Sequence, residues 1–295
     1  MDADAGAFRV AVLVPYRDTD PRQNRRAQLE EWVARVPAVF DAAWGPGSWV
    51  ALVIEQASGD GHRFSRGRLL NAGARCAITR WPTLTTLVLH DVDLCMDEAR
   101  AWAACNPPLR TGEVRALNWD SAQYGGCAMY VGGVCALSPA TFFAANGFWN
   151  AFEGWGGEDD CLRDALQAHF RMAFALTQPA PGRVADVGMV PYRCAEDPEA
   201  KLDKATRKGI KAAAARAGYA GDGVKELVFR TVPGKSSWKP VSAAVPCILK
   251  MTADVFPGTP LPAGWHMAVS RMRGVPFYVH SARGEATYEY PTMTE

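Results

Sequence analysis

The chain of 295 residues carries 32 Lys+Arg against 31 Asp+Glu, a formal charge of +1, and is 48% hydrophobic and 21% charged. That is a folded-protein composition, too apolar for disorder, and its balanced charge gives no bulk attraction to nucleic acid or to an anionic membrane. No run approaches the roughly 20 apolar residues that span a bilayer, and Met1-Asp2-Ala3-Asp4 lacks the basic flank of a secretory leader, so the sequence as written reads as cytoplasmic, without a membrane anchor.

The first elements are three short β-branched runs, Phe8 to Val14, Trp49 to Ile54 and Leu84 to Leu89, which predict buried parallel strands. Helical patterns lie between them, Arg25 to Val36 and Arg68 to Ile78. Strand, helix, strand, helix, strand predicts a wound α/β domain with its ligand beyond the carboxyl ends of the strands. Lys201 to Arg216 reads as a basic helix, and Leu227 to Thr231 and Val245 to Met251 as late strands of the same domain. Cys76, Cys95, Cys105, Cys127, Cys135, Cys161, Cys194 and Cys247 form no C-x-x-C pair, which argues against a zinc ribbon or disulfide scaffold.

Two constellations carry chemistry. Asp91-Val92-Asp93 follows a buried strand, so alternation predicts both carboxylates on one side, converging on a hard cation, with Val92 turned inward. Gly154-Trp155-Gly156-Gly157-Glu158-Asp159-Asp160 precedes a helical run from Cys161 to Phe170. Three acidic residues exceed what a helix cap requires, and an indole among glycines is a platform for a sugar ring. A carboxylate beside it is placed to accept a hydroxyl proton.

These motifs, with Val14-Pro15-Tyr16-Arg17-Asp18, Phe64-Ser65-Arg66-Gly67, Tyr130-Val131-Gly132-Gly133 and Asn146-Gly147-Phe148-Trp149-Asn150, occur in an order and spacing that resembles the β-1,4-galactosyltransferases, glycosyltransferase family 7. The resemblance runs from about Phe8 to Phe256, and late segments look most like the branch that adds galactose to xylose. It implies a GT-A fold, UDP-galactose as donor, Mn²⁺ ahead of Mg²⁺ or Zn²⁺, a glycan or glycoprotein acceptor, and inversion at the anomeric carbon. A donor such as UDP-GalNAc or UDP-glucose stands as an alternative, as does a silent scaffold. Carried over by residue, Pro15, Tyr16, Arg17, Phe64, Arg66, Asp91, Val92, Tyr130 and Trp155 would hold the UDP-sugar. Trp155, Glu158 and Asp160 would hold the acceptor, and Asp159 would act as base. Asp93 would bind the metal. The family's His-x-His before Asp-Pro is Cys194-Ala195-Glu196 here, which makes Glu196 and Cys194 the replacement ligands, one hard and one soft. The family works behind a membrane anchor in a Golgi-type lumen, so that compartment is implied if the sequence is trimmed.

After Pro257-Gly258-Thr259-Pro260, which reads as a linker, the pattern changes. Short alternating runs from Leu261 to Pro291 predict a three-stranded antiparallel meander. The segment resembles a WW domain, which divides the chain into a transferase domain over 1–256, a linker over 257–260 and a WW module over 261–295. That resemblance implies Pro-rich peptides bound by Phe277, Tyr278 and Tyr288, with Ser270 and Arg271 reading phospho-Ser-Pro.

Overall fold

The computed structural model describes residues 8–19, 23–57, 62–120, 129–177, 182, 184–186, 202–227, 229–231, 239–242, 245–255, 265–269, 276–280 and 283–287. Its centre is three parallel strands, β1 (Val10–Tyr16), β2 (Trp49–Gln56) and β3 (Thr86–His90), with β1 between the other two. Alternate residues of each strand enter different cores. Ala11, Leu13, Val50, Leu52, Ile54, Leu87 and Leu89 join one cluster, while Val10, Val12, Val14, Ala51, Val53 and Val88 join the other. A strand covered on both faces has no polar alternation, which is why these runs are continuously apolar.

Helix α1 (Arg25–Trp44) covers one face through Leu29, Trp32, Val33, Val36 and Phe40, and α2 (Arg66–Arg80) covers the other through Leu69, Leu70, Ala72, Ala74 and Ala77. Helix α1 runs eight residues beyond the predicted Val36 and keeps Pro37 in its interior. The internal proline costs a helix about 3 kcal/mol. Burial beyond it offsets that cost: Phe40 is fully buried and stacks on Trp44 at 4.4 Å, whose indole donates to the Ala101 carbonyl.

The sheet continues past β3 through antiparallel β6 (Val134–Leu137) and β5 (Glu113–Ala116), then β7 (Ala175–Thr177) parallel to β5. Strand β4 (Leu94–Met96) leaves this layer to pair with β8 (Val184–Asp186). Helix α3 (Glu98–Cys105) is capped by Asp97, whose carboxylate accepts from the Arg100 amide at 2.8 Å. Helices α4 (Pro139–Ala144), α5 (Glu158–Phe170) and α6 (Lys204–Arg216) follow in the chain. Of the predicted late strands, the first shortens to β9 (Arg230–Thr231). The second lengthens to β11 (Val245–Asp254), which runs parallel beside β2 and takes β10 (Lys239–Ser242) on its outer side.

Farther along, β12 (Trp265–Val269), β13 (Pro276–His280) and β14 (Glu285–Thr287) form a separate three-stranded antiparallel sheet with Trp265 opposite His280 and Tyr278 opposite Thr287. This is the predicted meander. Ser270, Arg271, Tyr288 and the linker lie outside the described residues. Among those that are described, no helix is long and apolar enough to cross a membrane.

Candidate active site

The carboxyl ends of β1 and β3, the start of α2 and the loop entering α5 supply the predicted residues. Strand β3 stops at His90, and the chain turns over Val92 and Asp93. Val92 is buried, as alternation required, and Asp91 and Asp93 are each partly exposed. Burial raises the Asp91 carboxyl against Arg66, and the nearby Asp93 charge adds to the rise, so the two carboxylates feel each other while keeping different partners. Asp91 accepts from Arg66 Nε at 2.7 Å, whereas Asp93 accepts from Arg25 at 2.7 Å. Each carboxylate has its own guanidinium because α2 and α1 reach the strand end from opposite faces of the sheet.

Arg66 is the hub. Its side chain is only 10% exposed, its guanidinium lies 5.6 Å from the Phe148 ring centroid, and one terminal nitrogen is buried without a hydrogen-bond partner among the described residues. Burial disfavours its charge, but Asp91, Glu158 and Asp159 outweigh burial and hold the proton more firmly than usual. An unsatisfied buried donor of this kind costs roughly 1–3 kcal/mol and is a built receptor for an anionic oxygen.

Helix α5 begins at Glu158 behind Gly157, whose φ of 96° suits glycine. The acidic triplet splits three ways. Glu158 is buried and reaches back to accept from the Gly156 amide at 3.2 Å. Burial first, then the Asp159 charge, push its carboxyl up to about 7. Burial likewise raises Asp159, against Arg66. Asp160 instead faces outward, pairing with Arg163 at 2.9 Å and Lys211 at 3.8 Å.

Tyr130 joins Asp159 across Gly132. A Cβ built on Gly132 would lie 2.5 Å from both the Tyr130 hydroxyl and Asp159 Oδ2, so glycine is the residue that lets these two oxygens crowd one point. The backbone of the Trp155 loop is held at two consecutive residues. Gly154 N donates to the Phe64 carbonyl at 2.8 Å, and Leu202 N donates to the Trp155 carbonyl at 3.1 Å.

Other residues stand apart. Pro15 and Tyr16 are buried in β1, and Lys250 sits 5.3 Å from the Tyr16 ring centroid, so these side chains serve the core and only their backbone borders the strand end. Arg17 donates to the His62 carbonyl at 2.7 Å. Phe64 is partly buried against the larger cluster. Cys194 and Glu196 lie outside the described residues, and among those that are described no group of three or more His, Cys, Asp or Glu is arranged to hold a metal. Sequence reasoning missed Arg25, whose one local signal is its place as the first residue of α1.

Asp91, Asp93, Glu158 and Asp159 set four carboxyl groups against the two guanidiniums. A diphosphate entering such a site needs a cation. The donor set fits a hard divalent ion held in the usual manner by one or two carboxylates with substrate phosphates completing the shell. Asp93 is 31% exposed, and only one of its oxygens is engaged by a described residue.

Parts of the chain are similar to known proteins. A family model described as the N-terminal domain of galactosyltransferase matches residues 120–181. The chain is 34% identical over 176 residues to β-1,4-galactosyltransferase 4 of Homo sapiens, covering 59% of this chain and 47% of that protein. It is 32% identical over 176 residues to β-1,4-galactosyltransferase 1 of Mus musculus, covering 59% and 40%. The chain therefore spans less than half the length of these relatives. The mixed α/β fold matches the crystal structure of a mutant Drosophila β-1,4-galactosyltransferase 7, in complex with manganese, UDP-Gal and xylobiose, with a TM-score of 0.64 at 19% identity over 84% of this chain and 94% of that one. Over the residues they match, the family model and the relatives make the chain similar to β-1,4-galactosyltransferases, and the solved structure shows a shared fold.

Proposed function

We propose that the chain is a divalent-metal-dependent, inverting glycosyltransferase that moves galactose, or a closely related sugar, from a UDP-sugar to a hydroxyl of a glycan or glycoprotein. The observation that carries this reading is the single cluster in which Arg66 serves Asp91, Glu158 and Asp159 while Tyr130 meets Asp159 at Gly132.

In this reading Arg66 and the Tyr130 hydroxyl receive the diphosphate, Phe64 and Arg17 border the uridine, and Asp91 keeps Arg66 oriented. Asp93 holds the metal, with Glu196 and Cys194 as further ligands. Mn²⁺, when bound, neutralises charge on the departing UDP, as manganese accompanies UDP-Gal in the Drosophila structure. Asp159 takes the proton of the attacking hydroxyl, and Glu158 holds the acceptor through a neighbouring hydroxyl. Trp155 offers the sugar an apolar face between its two tethers. Burial raises the Asp159 carboxyl above its ordinary value against Arg66, which makes it a stronger proton acceptor than a solvated carboxylate. Xylobiose in that same structure makes a xylose-terminated acceptor the first to try.

We assign transfer to residues 1–256 and peptide binding to 261–295, joined by 257–260. The antiparallel β12–β13–β14 sheet supports the WW reading of that segment. The test is a screen of UDP-galactose, UDP-GalNAc and UDP-glucose against xylosides and glycans, with Mn²⁺, Mg²⁺, Zn²⁺ or chelator. Metal-dependent transfer supports the proposal. No hydrolysis or transfer with any donor leaves the chain a scaffold.

A further inference from the structure

The Arg25–Asp93 pair joins residues 68 apart in sequence at 2.7 Å, with the side chains 18% and 31% exposed. Arg25 is placed, not wandering: the same nitrogen donates to Oε1 of buried Gln28 at 2.9 Å, and its Nε reaches Gln23 at 3.3 Å. Helix stability does not explain it. Arg25 and Arg26 open α1 with no acidic residue in the first turn, which sets positive charge against the positive end of the helix dipole. Among the described residues, the charged partner that Arg25 gains at that position is Asp93.

We infer that Arg25 is the resident counter-ion of Asp93 and competes with the divalent cation for that carboxylate, so that Arg25 sets the metal affinity of the site. The inference rests on the metal role proposed for Asp93. A divalent ion coordinates a carboxylate oxygen at roughly 2.0–2.2 Å. It cannot take the oxygen that Arg25 holds without displacing the guanidinium, and on the other oxygen it sits close to a like charge in a partly desolvated site. Metal entry is therefore an exchange of one cation for another. Asp91 is not subject to the same exchange, because its partner Arg66 is also held by Glu158 and Asp159.

The experiment is a titration of the full chain with Mn²⁺ alone, read by the loss of the free-ion electron paramagnetic resonance signal, with a parallel series containing UDP. Arg25→Gln should tighten Mn²⁺ alone by about three- to fivefold, at the upper end of the scale of a partly exposed ion pair, and Arg25→Met should do the same if Gln perturbs folding. Arg26→Gln, which removes an equal charge paired outward to Glu30, should stay within about twofold of wild type, because exposed charges are screened. A residue that merely supports the fold would shift affinity the other way. If wild type binds Mn²⁺ with UDP but neither Arg25 variant binds Mn²⁺ more tightly than wild type, the competition is wrong. If wild type binds no Mn²⁺ even with UDP, the metal role of Asp93 fails, and the inference with it.

Discussion

Arg66 and Asp91 meet at 2.7 Å, and the charges of Glu158 and Asp159 act on the same guanidinium. One cation thus joins the strand that would carry the donor to the helix start that would carry the base.

Arg66→Met should destabilise the metal-free protein by about 3 kcal/mol at pH 7, because removing one partner of a buried pair leaves its carboxylates uncompensated. It should also abolish binding of UDP. Urea unfolding and calorimetry check the two effects, and an unchanged midpoint would show that Arg66 does not hold the cluster together.

Asp159→Asn should fold, bind donor and lose transfer by roughly 10² to 10⁴, the usual cost of removing a general base. Its Oδ1 bond from the Asp160 amide can be kept by the amide oxygen, so a structural role would survive the change. Near-normal turnover would leave Asp159 only that role.

Glu158→Gln should flatten the pH dependence of stability. The folded protein keeps a proton on Glu158 up to about pH 7, whereas the unfolded chain releases it near the ordinary carboxyl value. The folded form therefore binds more protons between these two values, and stability falls as pH rises through that window. Gln removes the titration and should raise stability at pH 8 relative to wild type by roughly 1–3 kcal/mol, with little change at pH 4. Thermal melts across this range decide it; parallel curves for the two proteins would refute the burial argument.

Gly132→Ala should lower transfer at least about tenfold while secondary structure stays native. The new methyl collides with Asp159 and Tyr130, and overpacking of this kind costs about 1–3 kcal/mol. Activity and circular dichroism measured together separate a displaced base from an unfolded chain.

Pro-rich or phospho-Ser-Pro peptides should bind the full chain with micromolar or weaker constants, since stacking on a few aromatics leaves little after the association cost. Tyr288→Ala should remove this binding and leave sugar transfer intact. Peptides that bind wild type and Tyr288→Ala equally would exclude the aromatic groove.

The three central strands were legible because β1, β2 and β3 are buried on both sides and so spell uninterrupted apolar runs; their order, with β1 in the middle, was not. Asp91 and Glu158 were legible because each stands at an element boundary with a known place in such a fold. The place of the Tyr16 ring was not legible, because a residue at a strand end reads equally as core or as ligand contact, and only the fold shows the ring buried beside Lys250. Arg25 escaped notice because local pattern reads it as a helix-surface cation; its partner comes from a strand 68 residues away, and only packing of α1 on the sheet brings them together.

Strand β2 has β1 on one side and β11 on the other, and the hydrogen bond from Thr252 to Glu55 spans 197 residues. During synthesis, then, β2 emerges long before its second neighbour exists. Loop-closure entropy delays such a distant pairing, and it is the kind of contact that slows folding. Until β11 leaves the ribosome, one apolar edge of the sheet stays open to another chain, and a nascent protein cut short before Val245 would present that edge permanently.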